Sequence, residues 1–185
     1  MTGQNSLTKA GMIGVKSNPL PMTERLYSLL GGVVIQWSRV EGAILQDTST
    51  MFQYPIVQAL ASEPPRSFKK KLELWRRATR TLYNADPYQQ LARAICSRAK
   101  AASKLRNHLI HGSWALEDSD GAFTVSNIKA LRYVETWESI PVSEALIEAL
   151  RDEVRAIHDL LMSLIVSKML HADSGRLQAT PAPPP

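Results

Sequence analysis

The run RNHLIHGSW, residues 106–114, brings Arg106, Asn107, His108 and His111 together on a short piece of chain that then reaches Gly112. Histidine titrates near neutrality and can take or give a proton at physiological pH. Arginine keeps its charge and presents a planar fork of donors that matches phosphate oxygens. RNA supplies its own nucleophile, the 2′-hydroxyl. A catalyst acting on it has to remove that proton, protonate the leaving 5′-oxygen and stabilise the charged phosphorane. Arg106 suits the phosphate and His111 the proton transfers, and a dimer would bring two histidines, one as acid and one as base.

Those residues must be held by the segment before them. Asp86 followed by Pro87 reads as a helix cap with proline at the first helical position. Gly112 reads as the left-handed residue that closes the same helix. With residues 87–111 placed at about 100° per residue, Leu91, Ile95, Ala102, Leu105 and Leu109 fall in one arc of roughly 80°, the face that packs inward. Nearly opposite runs a stripe of Arg93, Ser97, Lys100, Lys104, Asn107 and His111. Arg93, Lys100 and Lys104 are therefore the candidate RNA-binding residues. Arg106 lies roughly 100° to one side of Asn107, and its long stem can return the guanidinium toward His111. Ile110 falls between them and away from the core. A subunit contact uses such a residue, although single exposed apolar residues are also ordinary. A helix C-terminus carries partial negative charge that opposes a phosphate. Arg106 from two chains, with Lys100 and Lys104, would have to overcome it.

Plainer roles are open to the same side chains. Arg106 and His111 could cap the last helix carbonyls, leaving Asn107 solvated. His108 lies at the edge of the inward face and reads as structural. Glu41, about 40° from Trp37 on the first helix, points partly inward and needs a partner. Arg98 could be that partner, or Glu41 could hold Arg106 or His111 in place. His108 and His111 have a spacing compatible with a metal, but no cysteine pair, HExxH or nearby acidic cluster accompanies them, and His158 and His171 read as surface residues. No metal is expected. No P-loop, GxGxxG or GxSxG stands in the chain, so no cofactor is expected either.

Stepping outward from the motif, the remaining elements read as helices. Thr23 caps a first helix with a stripe of Leu26, Leu30, Val33, Trp37, Val40 and Ile44. A shorter helical stretch follows Pro55 and stops before Pro64 and Pro65. Ser67 caps a third helix whose inner stripe is Phe68, Leu72, Trp75, Thr79 and Leu82. Lys69, Lys70, Arg76, Arg77 and Arg80 lie off that stripe and read as a solvated basic face. WALEDSDGAFTVSN alternates around Asp118–Gly121 as a small hairpin. A last helix after Pro141 and Ser143 carries Leu146, Leu150, Val154, Ile157, Leu161 and Leu164. The fold class is all-α, an antiparallel four- to five-helix bundle with a small β-hairpin insertion after the motif helix. A flexible segment over 1–21 precedes a single helical domain over 22–171, and a disordered Pro-rich tail over 172–185 follows it.

In this setting, Arg106, Asn107, three residues, His111 and Gly112 near the end of a long helix resemble the Arg-polar-x3-His motif of the HEPN superfamily (higher eukaryotes and prokaryotes nucleotide-binding domains). WSRVEGAI in the first helix is similar to the leading helices of bacterial members. The resemblance covers residues 23–171 in architecture but rests in motif on residues 106–112 alone. It implies a dimerising four- or five-helix bundle with two copies of the motif in a cleft between subunits. Many members are metal-independent ribonucleases of toxin, abortive-infection or CRISPR-linked defence systems, and others are non-catalytic. By this resemblance His111 is the general acid or base, Arg106 steadies the phosphate and Asn107 orients groups nearby. The implied partners are RNA and a second copy of the chain, with an antitoxin or activating protein as a further one. One departure stands out: toxins paired with nucleotidyltransferase antitoxins follow the histidine with an aromatic in the form HxY, whereas Gly112, Ser113 and Trp114 follow His111 here. Regulation by tyrosine modification is not implied.

Composition limits the alternatives. With 44% hydrophobic and 21% charged residues, the 185-residue chain reads as one globular domain. Cys96 is the single cysteine, which excludes an intrachain disulfide and suits a reducing, cytoplasmic setting. The N-terminal residues lack the apolar run of a signal peptide, and LLMSLIV at 160–166 is too short to span a bilayer, so no membrane partner is expected. The net charge of +5 favours an acidic partner.

Overall fold

The structure is a computed structural model that describes residues 23–61, 65–117, 122–126 and 139–178. Five helices carry it: α1 (Glu24–Met51), α2 (Pro55–Gln58), α3 (Phe68–Leu82), α4 (Asp86–His111) and α5 (Glu144–Gln178). Three short strands follow α4, namely β1 (Ser113–Glu117), β2 (Ala122–Ser126) and β3 (Ser139–Val142). The chain is an all-α helical bundle with a small β insertion.

Local signals start the helices where the side chains predict. Thr23 Oγ1 accepts the Leu26 N–H at 3.1 Å, Ser67 Oγ the Lys70 N–H at 3.4 Å and Ser143 Oγ the Leu146 N–H at 3.1 Å. Each satisfies a donor that the first turn leaves over. α4 differs by one residue. Ala85 takes the extended cap position, and Asp86 is the first helical residue with no capping bond. Its charge still sits beside the positive end of the helix, where it is favourable. α5 continues through Gln178, past the expected end of the domain at residue 171, and no proline interrupts it before Pro181. Residues 1–22, 118–121 and 179–185 lie outside the described residues, and with them the expected flexible N-terminal segment, the hairpin turn and the last part of the tail.

α1 packs on α5 and α3, and α4 packs on the same two helices, so α1 and α4 face each other across the bundle and touch little. Val33, Trp75, Ile95, Ile147, Ile157 and Leu161 are fully buried between them. The predicted stripes supply most of this core, while Leu30, Phe68, Leu82, Leu91 and Leu105 remain partly exposed at its margin. One polar cluster is enclosed within it. The Lys168 ammonium donates to Asp47 Oδ2, the Trp75 indole N–H donates to the same oxygen at 2.7 Å, and the ammonium stands 5.7 Å from the Trp75 ring centroid and 5.3 Å from that of Tyr83. Lys168 is 2% exposed. Burial pulls its pKa below the usual lysine value, and the Asp47 carboxylate opposes that shift.

The strands form one antiparallel sheet in the order β1-β2-β3. The hairpin is the expected one, and β3 adds to it a third strand just before the last helix, which the sequence reading did not assign. Pro141 is accommodated there because β3 is an edge strand. Val125 and Val142 point into the core, and β2 lies against α4.

Gly112 is required for a different reason from the expected one. Its φ is −75° and its ψ 163°, an extended conformation open to any residue. A Cβ at this position would collide with the His108 carbonyl and the Val125 Cγ1 methyl. Glycine thus lets β2 approach the end of α4 closely, which sets where the helix stops and where His111 stands.

Candidate functional site

The last turns of α4 gather the motif. Arg106 Nη1 lies 3.1 Å from Asn107 Oδ1 and 3.1 Å from His111 Nε2. Arginine has only donors, so His111 Nε2 accepts and the ring proton sits on Nδ1. Asn107 and His111 are exposed and Arg106 is half-buried. The Arg106 Nε is buried with no hydrogen-bond partner among the described residues. That buried Nε is out of a ligand's reach, but the guanidinium links both neighbours through Nη1 alone, and Nη2 makes no hydrogen bond among the described residues, an end of the fork that an anion can use.

These side chains do not act as carbonyl caps. The Gly112 N–H donates to the His108 carbonyl at 2.8 Å and the Trp114 indole N–H to the Leu109 carbonyl at 3.0 Å, so residues past the helix close its end. Trp114 also stands edge-on to Phe123, with ring centroids 6.0 Å apart, which ties the helix end to β2. His108 faces the other way. It is 5% exposed and its Nδ1 donates to the Lys104 carbonyl at 3.0 Å, a structural position. Ile110 is half-buried within the chain, so it does not stand out as an exposed contact residue.

Glu41 takes neither expected partner. Its Oε1 accepts the Trp37 indole N–H at 2.8 Å, one turn earlier on the same helix. Arg98 instead makes a two-point contact with Glu153 of α5, at 2.7 and 2.6 Å. The reason lies in the packing order, because α4 lies alongside α5 and only grazes α1. Each partner's charge favours the charged form of the other, lowering the Glu153 pKa and raising that of Arg98, chiefly through these hydrogen bonds.

The polar stripe is exposed at Arg93, Ser97, Lys100, Lys104, Asn107 and His111, as its spacing predicts. Its members are not equally placed. Lys100, Ser103, Lys104 and Asn107 form one wall of a groove of about 410 Å³, and Phe68 and Lys69 at the start of α3 form the other. Arg93, about 20 Å along the helix from Asn107 at 1.5 Å per residue, lies beyond it. Sequence reasoning took Phe68 as core and Lys69 as a solvated charge. No local signal says which face of α4 the first turn of α3 meets.

Comparison with family models, with curated proteins and with solved structures yields no match to this chain. Function must therefore be argued from the site.

Other groups offer less. Cys96 is buried, and burial pushes its thiol up to about 11, so little thiolate exists near neutral pH. Among the described residues, no three His, Cys, Asp or Glu side chains converge as metal ligands would. A cavity of about 460 Å³ between the far ends of α1 and α5 is lined by Asp47 and Lys168, but that pair is spent on itself and on Trp75. His158 is half-buried and His171 is exposed with its ring 5.9 Å from that of Tyr88. No helix, among the described residues, is long and apolar enough to cross a membrane.

Proposed function

We propose that the protein is a metal-independent endoribonuclease of HEPN type that works as a dimer, in the manner of a toxin or antiviral defence effector. The observation that carries this reading is the bond from Arg106 to both Asn107 and His111 on an exposed helix end beside a lysine-lined groove. In the mechanism, Arg106 turns its guanidinium from His111 to the phosphate, the freed His111 Nε2 takes the 2′-hydroxyl proton, and the oxygen attacks the adjacent phosphorus. The 5′-oxygen leaves with a proton from the second subunit's histidine, and a 2′,3′-cyclic phosphate remains. Arg106 holds the phosphorane charge and Asn107 steadies the guanidinium.

The requirement for two subunits comes from counting histidines at the site. His108 is turned inward, so one chain offers a single exposed imidazole there, and one ring cannot be acid and base at the same instant. The same fact favours a second reading for a protein that stays monomeric: a non-catalytic HEPN-like module that binds RNA or a partner protein through this face.

The deciding experiment incubates purified wild type and His111→Ala with RNA in excess EDTA and determines the product ends. Wild-type cleavage leaving 2′,3′-cyclic phosphate, absent in the variant, is the expected result. Equal cleavage by both proteins overturns the role of His111. Binding by both without cleavage, together with a monomer in light scattering, selects the binding module.

A further inference from the structure

We infer that the groove between the first turn of α3 and the last half of α4 is a single-stranded RNA subsite, which seats the nucleotide next to the scissile phosphate. The inference rests on the proposal that the protein acts on RNA, and it names the form of RNA and the residues that receive it.

Four observations converge. The groove ends on Asn107, the residue bonded to Arg106, so anything lying in it runs directly to the Arg106 and His111 pair. Three lysines, Lys69, Lys100 and Lys104, line it without a carboxylate among the described lining residues, which matches a polyanion. Glu73 is close enough to feel Lys100, but Arg76 holds it at 2.8 Å. Phe68 contributes an aromatic ring to the wall, and that ring is braced from behind by Trp37, with centroids 4.6 Å apart at 58°. A braced, half-exposed ring beside cations is the usual pairing for stacking an unpaired base while its phosphates are held.

The helix ends add to this. α3 begins at Phe68, and Phe68 and Lys69 of its first turn line the groove, so the positive end of the dipole of a 15-residue helix lies beside it. α4 presents its negative end a few residues past Asn107. A phosphate is thus drawn to the α3 side, which offsets the repulsion that a helix C-terminus alone would cause. A groove of about 410 Å³ is on the scale of one nucleotide, and the bases of a duplex are stacked and unavailable to Phe68.

The test measures binding of a fluorescent 12-mer, single-stranded and as a duplex, across a salt series, with EDTA present. All proteins carry His111→Ala so that the probe stays intact. Lys69→Ala should reduce the steepness of the log affinity against log salt plot by about 0.7, one phosphate contact. Ser103→Trp, which fills the groove and leaves every charge in place, should weaken single-strand binding roughly tenfold and duplex binding much less. Phe68→Leu should weaken binding by a similar factor with the salt slope unchanged, and a thermal melt checks that its packing on Trp37 tolerates the change. If RNA binds but Lys69→Ala and Ser103→Trp bind it like their parent, the subsite is wrong and the RNA reading survives. If no RNA binds, both fall. Displacement of the RNA by polyglutamate at equal charge concentration would overturn the assignment in favour of an acidic protein segment.

Discussion

The cluster around Asp47 and the cluster around Arg106 are built from similar groups and treat them in opposite ways. In the first, Lys168 and Trp75 both donate to one carboxylate under nearly complete burial. In the second, an arginine bonds an amide and an imidazole through Nη1 at an open helix end, and its Nη2 has no partner among the described residues. A charge in the interior has to be satisfied, because an unpaired one there costs several kcal/mol, on the order of 3–5 when a partner is removed. At the surface, water bears that cost, so donors can be left over for a ligand. Satisfied charges mark structure here, and unspent ones mark the site.

The widest separation between the two clusters should appear in stability. Asp47→Ala strands the Lys168 ammonium and should cost roughly 3–5 kcal/mol in urea denaturation. Arg106→Ala should change stability by about 0.5 kcal/mol while abolishing the proposed cleavage. Comparable losses from the two variants would erase the distinction. Gly112→Ala tests the link between the exposed cluster and the core: the added methyl must displace Val125 or the end of α4, at about 1–3 kcal/mol by the same measurement. A stability equal to wild type would mean that the close approach of β2 is not needed.

The smallest effect is a pH dependence confined to the buried cluster. The folded pKa of Lys168 is lowered from 10.5. Between that lowered value and 10.5 the unfolded chain holds a proton that the folded chain has released, so stability rises with pH through this window. Below the folded value both states are protonated and the dependence vanishes. Urea midpoints of wild type should therefore gain on those of Lys168→Met as pH is raised toward 10.5, and parallel curves would show that burial does not perturb this lysine.

Much of the molecule was legible in the chain because it depends on neighbours in sequence. Thr23, Ser67 and Ser143 cap helices through bonds to residues three positions on, and the exposed stripe from Arg93 to His111 follows from helical periodicity alone. Gly112 was legible as a stop, though its actual reason, the approach of β2, was not. Lys168 was missed because a lysine one turn beyond an apolar stripe reads as solvated, and nothing local announces that Asp47 awaits it 121 residues away.

What the sequence by itself determined is the set of helices, the Thr23, Ser67 and Ser143 caps, the inward faces and the spacing of Arg106, Asn107 and His111. Tertiary structure alone decided that Arg98 meets Glu153 and not Glu41, that residues 139–142 complete a sheet, and that Phe68 and Lys69 stand across a groove from Lys100 and Lys104. The physical reason is that periodicity and capping are settled within a few residues of chain. Which face meets which is settled by the packing of whole helices, where α4 chose α3 and α5 and left α1 across the core.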